Sequence, residues 1–179
     1  MSKAPANMPD NPDGFTRNSV PAQNERMNKA LVDATRHYCQ THANSGPLIS
    51  TPVPGLVLLR RTSPAAVDHA IVQPLLCLVL EGSKEVDIDQ RTERYNAGDL
   101  MLVARNTPTL TRIAGASVAT PYMSIALDLN VSLLGDLIEL HRGAPASPPQ
   151  DTRAPLLDAM RRLISLLDDP TSLAALGTG

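Results

Sequence analysis

Residues 75–103 read LLCLVLEGSKEVDIDQRTERYNAGDLMLV, and this stretch decides the fold. Two apolar runs, Leu75 to Leu80 and Leu100 to Val103, enclose a more polar segment where charged and apolar side chains alternate from Glu85 to Ile88. Alternation at period two marks strands, whereas a helix would repeat near 3.6. Glu81-Gly82-Ser83 and Asp89-Gln90 have the composition of hairpin turns, and Asn96-Ala97-Gly98-Asp99 supplies residues that tolerate a left-handed backbone. Strands are therefore predicted at Leu75–Leu80, Lys84–Ile88, Thr92–Tyr95 and Leu100–Val103.

Outward from this segment the same texture continues, predicting strands at Leu56–Arg60, His69–Val72, Thr109–Ile113 and Tyr122–Leu127. The total is about eight strands at intervals of roughly 8 to 12 residues, the spacing of an antiparallel sandwich or barrel. Beyond the strands the period becomes helical. Met27, Leu31, Ala34 and Tyr38 mark an amphipathic helix over 25–43, and Leu133, Leu134, Leu137, Ile138 and His141 share a face behind Asn130, a candidate N-cap. A last helix starts near Asp151 or Thr152, accepts Pro155 in its first turn and stops at Asp169-Pro170. Its stripe of Leu156, Leu157, Met160, Leu163, Ile164 and Leu167 suits core packing; the sharper alternative is a homodimer seam carried by Leu156, Met160, Leu163 and Leu167.

The fold class expected is mainly β with flanking helices, in four stretches. Residues 1–23, with Pro5, Pro9, Pro12 and Pro21 and few bulky apolar side chains, are expected to be a mobile tail. Residues 24–142 form the domain, 143–151 a proline-rich linker, and 152–179 a C-terminal helix and the start of a connection onward.

Composition limits function. A chain of 179 residues suits one domain. Sixteen Lys and Arg against eighteen Asp and Glu leave a net charge of −2, so these residues lack the basic footprint that nucleic acid demands. Aromatic residues are 2 % of the chain, too few for base-stacking or sugar-stacking platforms. No apolar run approaches a membrane span, and residues 1–14 lack the apolar core of a signal peptide, so the expected compartment is the cytoplasm with no membrane partner. Cys39 and Cys77 form no Cys-x-x-Cys, which speaks against a disulfide framework or a structural zinc site.

A small antiparallel barrel with a Gly-Asp turn between strands resembles the cupin architecture, a double-stranded β-helix or jelly roll that often holds a metal. The first cupin motif places two histidines two apart and a glutamate four positions on; from His69 these positions hold His69, Ile71 and Leu75. The second, counted from Gly98, meets Ala104, Asn106 and Thr109. One of the four ligands is left, and a lone imidazole cannot hold an ion that takes three or four protein donors. Neither metal nor cofactor is therefore expected. The interior becomes an aliphatic cavity with a few polar handles, suited to an organic ligand, and His69, Cys77, Thr109 and Tyr122 are its candidate binding residues. His69 has a plainer alternative as a histidine satisfied at a strand edge, and Cys77 as a small buried hydrophobe. No Gly-x-Ser-x-Gly elbow or phosphate loop appears, Glu81 and Glu85 read as solvated turn residues, and no catalytic residue can be named.

The segments 51–61 (TPVPGLVLLRR), 69–74 (HAIVQP), 75–86, 95–103 and 121–129 (PYMSIALDL), in this order and spacing, resemble the N-terminal domain of AraC-type transcriptional regulators. The resemblance implies a cupin-like domain of a bacterial regulator that senses a small-molecule effector and dimerises, followed by a DNA-binding domain of two helix-turn-helix units. No recognition helices precede Gly179, so DNA is expected as a partner only through a C-terminal domain absent from this chain. The alternatives are a metal-dependent cupin enzyme, or a redox or electrophile sensor built on Cys77.

Overall fold

The computed structural model describes residues 15–18, 25–42, 46–66, 70–88, 91–104, 106–140, 153–167, 169 and 171. The elements run β1 (Phe15–Asn18), α1 (Glu25–Thr41), β2 (Leu48–Ser50), β3 (Leu56–Arg61), β4 (Ala65–Ala66), β5 (Ala70–Val72) and β6 (Leu75–Glu81). They continue as β7 (Ser83–Ile88), β8 (Arg91–Asn96), β9 (Leu100–Val103), β10 (Thr107–Gly115), β11 (Tyr122–Asp128), α2 (Val131–Leu140) and α3 (Arg153–Leu166). Six strands form one antiparallel sheet in the order β1-β9-β6-β11-β3-β2; the second has the order β4-β10-β7-β8, with β5 also paired to β10. This is the cupin-like jelly roll expected, mainly β with helices before and after the strands.

Two cores follow from the pleat. Successive side chains on a strand point to opposite faces, so β6 sends Leu75, Cys77 and Val79 toward the second sheet and Leu76, Leu78 and Leu80 the other way. Between the sheets lie Cys77, Val79, Val86, Ile88, Tyr95, Met101, Val103, Ile113 and Tyr122. On the outer face of the six-stranded sheet, Leu56, Leu58, Met123 and Ile125 meet Leu31, Tyr38 and Cys39 of α1 and Leu157, Met160 and Ile164 of α3. Arg36 on α1 bonds Glu81 at the end of β6 at 2.7 Å, fixing the helix over the sheet. Asn130 caps α2 as expected, its side chain accepting from the Leu133 amide at 3.0 Å.

Three expectations are corrected. Part of the supposed tail, Phe15–Asn18, pairs antiparallel with β9 from Phe15 opposite Val103 to Asn18 opposite Leu100. A free sheet edge offers backbone hydrogen bonds whatever the side chains, so composition understates such a segment. Glu81-Gly82-Ser83 is not a hairpin turn, because β6 and β7 belong to different sheets. Asn96-Ala97-Gly98-Asp99 does take the left-handed backbone expected, with Gly98 at φ 89° and the Asp99 amide donating to the Asn96 carbonyl at 2.9 Å, and it carries the chain from β8 back to the six-stranded sheet. β7 and β8 do pair as the hairpin expected, around residues 89 and 90, which lie outside the described residues. Finally, Met160 and Leu167 are not available for a homodimer seam: they are 5 % and 4 % exposed, packed within the chain in the α1–α3 core. Leu156 and Leu163 stay half-buried at its margin. The C-terminal helix thus shares a core with the domain that precedes it. The linker 143–151 and His141 lie outside the described residues.

The corner at Gly82 has φ of 72°, a left-handed conformation that costs little only for glycine. A Cβ there would lie 2.1 Å from the Gly115 carbonyl oxygen and 2.9 Å from Tyr122 Cα. Gly82→Ala is expected to cost about 3 kcal/mol or more in urea unfolding, since strain and clash add; a loss below 1 kcal/mol would show that the corner can relax.

Candidate ligand cavity between the sheets

A cavity of about 200 Å³ lies between the sheets. The six-stranded sheet contributes Leu48, Val57, Leu59, Leu75, Cys77, Met101, Tyr122, Ser124 and Ala126; the second sheet contributes Lys84, Thr109, Thr111 and Ile113. Register explains the convergence. Val57, Ala126, Cys77 and Met101 are successive cross-strand partners on β3, β11, β6 and β9, and so share one face. Small side chains in the middle of that face, Ala126, Cys77 and Ser124, leave space that Leu or Phe would fill, and Thr109 and Thr111 do the same opposite. Leu48, 61 % exposed, marks the mouth.

Two polar side chains define the chemistry of this cavity. Lys84 on β7 stands opposite Ile113 and Tyr95, so its stem enters the apolar interior and it is 5 % exposed. Its Nζ donates to Cys77 Sγ at 3.1 Å and lies 5.9 Å from the Tyr95 ring centroid. Among the described residues no carboxylate forms an ion pair with it, which is unusual for a buried ammonium. Tyr122 is fully buried, and its hydroxyl has no hydrogen bond of sound geometry. Burial first, and then the neighbouring Cys77, hold its phenol well above the usual range; Ser124 nearby offsets this only in part.

Of the four binding residues expected from the sequence, Cys77, Thr109 and Tyr122 line this one cavity, and His69 lies outside the described residues. Lys84 was missed. The signal was present, because Lys84 has the strand parity of Val86 and Ile88, so a charge occupied the face those apolar residues share. Cys39 lies on α1, on the far side of the six-stranded sheet, where burial pushes its thiol up to about 11 against a partial pull from Arg60, leaving it a poor nucleophile. The described lining of this cavity does not fit a cupin metal. Leu75 and Thr109 occupy two ligand positions, the Lys84 ammonium stands in the same cavity, and among the described residues no three His, Cys, Asp or Glu side chains could hold an ion.

Residues 52–179 match the family model of the AraC-type transcriptional regulator N-terminus. The chain belongs to this family. No curated protein matches this chain at a significant level. Among solved structures it is similar to a cupin superfamily protein from Desulfitobacterium hafniense DCB-2, at 16 % identity and a TM-score of 0.35 over 49 % of this chain and 72 % of that one. It is similar to a Cupin 2 conserved barrel domain protein from Salinispora arenicola CNS-205, at 9 % identity and a TM-score of 0.37 over 55 % and 76 %. The Drosophila melanogaster CENP-C cupin domain is similar at 15 % identity and a TM-score of 0.39 over 60 % and 98 %. Among the described residues of the AraC-type domain no helix is long and apolar enough to cross a membrane.

A buried charge without a partner destabilises a fold, and an apolar side chain of similar length removes that cost. Lys84→Met is expected to leave the fold intact and raise stability by about 1 kcal/mol in urea titration; a loss of that size would show that the ammonium has a compensating partner.

Proposed function

We propose that this chain is the effector-binding module of a bacterial AraC-family transcription regulator, holding a small organic ligand between its sheets and performing no catalytic step. The observation that carries the proposal is the cavity itself: about 200 Å³ inside the regulatory domain, walled by aliphatic side chains with a few convergent polar groups. The module is proposed to act in the cytoplasm, as a homodimer, and to reach DNA through a helix-turn-helix domain outside these 179 residues. An effector moves such a switch only as far as its affinities for the two states differ, so the cavity-lining contacts must change between them.

A thermal-shift screen of small metabolites tests this. A true effector at a hundred times its Kd adds about 2.7 kcal/mol, which raises Tm by about 5–10 °C for a chain of this size. Ala126→Leu, which fills the cavity floor, is expected to abolish the shift. A shift that survives in Ala126→Leu would move the ligand elsewhere and defeat the proposal.

One contact supports a second role, a cysteine-based sensor of electrophiles. Lys84 Nζ, 3.1 Å from Cys77 Sγ, stands where it would stabilise a sulfur anion during attack. Iodoacetamide on the folded protein, followed by peptide mass analysis, is expected to label Cys77 ahead of Cys39 and more slowly in Lys84→Met. Equal labelling of the two cysteines would dispose of this role.

A further inference from the structure

We infer that the effector is a small organic anion, an aliphatic chain of about six carbons ending in a carboxylate, with its charged end at Lys84. This rests on the ligand-binding role proposed above and adds the chemical class of the ligand. An ammonium has three donors, and Cys77 Sγ takes one of those on Lys84. The remaining positive charge is enclosed, 5 % exposed, with no carboxylate paired to it among the described residues.

A neighbouring donor points the same way. The Tyr122 hydroxyl, on a wall of the same cavity, is buried with no hydrogen bond of sound geometry. A carboxylate accepts about four hydrogen bonds and brings the missing negative charge. A neutral ligand would leave the ammonium uncompensated, and a cation would be repelled by it.

Size and lining fix the rest of the molecule. An engineered apolar cavity of about 150 Å³ in another protein accepts benzene, so a cavity of about 200 Å³ holds about eight non-hydrogen atoms. Leu59, Leu75, Met101 and Ile113 offer methyl and methylene surface without polar atoms, which suits a short alkyl chain.

The test is calorimetric titration of the full chain at pH 7 and low salt with hexanoate, hexanamide and 1-hexanol. Hexanoate is expected to bind at least about tenfold more tightly than either neutral analogue, as expected for a charge pair formed away from water. Lys84→Met is expected to erase that preference while still binding 1-hexanol, and Tyr122→Phe to weaken hexanoate alone. Neutral analogues that bind as well as the acid, or an unchanged hexanoate Kd in Lys84→Met, would overturn the anion assignment while the cavity keeps its function. Binding by none of the three would also overturn it, and the Ala126→Leu comparison then decides the wider role separately. The comparison of acid with neutral analogues on the unaltered protein stands even if Lys84→Met fails to fold.

Discussion

The architecture depends on a sheet that is covered on both faces. Strand β6 is apolar from Leu75 to Leu80 with no solvent-facing position between, because one parity supplies the space between the sheets and the other the floor under α1 and α3. Antiparallel sheets more often keep one face wet. Here Leu76, Leu78, Met123 and Ile125 would lie open to water without the helices, and each such side chain contributes about 1.5–3 kcal/mol when buried. The dry outer face therefore requires α3, which is why its stripe closes onto α1 and the sheet.

The inner face is built to a different standard. A region made only for stability would fill its volume and avoid unpaired polar groups. Ala126, Ser124 and Cys77 leave a void instead, and Lys84 and Tyr122 bring polar atoms into it without full satisfaction. Local departures of this kind concentrate at functional sites, where stability is given up for something else. The void lies on the parity that faces the second sheet. The parity under the helices is filled by Leu, Ile and Met, so the two faces of the same strands obey separate demands.

Much of this was legible in the sequence because strand parity is a strict code. The predicted strand 75–80 and the observed β6 differ by one residue, and Cys77, Thr109 and Tyr122 fall around one cavity because each has the parity of its inward-facing neighbours. What was not legible depends on pairing across distance. A glycine between two strands reads alike for a hairpin and for a corner between sheets; the difference lies in whether Gly115 and Tyr122 come up against Gly82, some thirty and forty residues on. Phe15–Asn18 gains its structure from the edge of β9, which no composition argument contains. The α3 stripe offered two covers, and only the placement of α1 over the sheet chose between them. Lys84 was overlooked for a different reason: a lysine in an alternating strand is presumed to be on the wet side, and here the wet side belongs to Glu85 and Asp87.

Strand β11 is one chain thick, with Tyr122, Ser124 and Ala126 on the cavity side and Met123 and Ile125 pressed against the helical layer. It is a bulkhead between two compartments. With β3 and β6 on either side of it, it forms the one sheet layer between whatever occupies the inner compartment and the helices on the outer one, and a pleated backbone cannot tilt one set of side chains without tilting the alternate set the opposite way. News of occupancy thus has a path to the outer surface that is a single peptide layer deep.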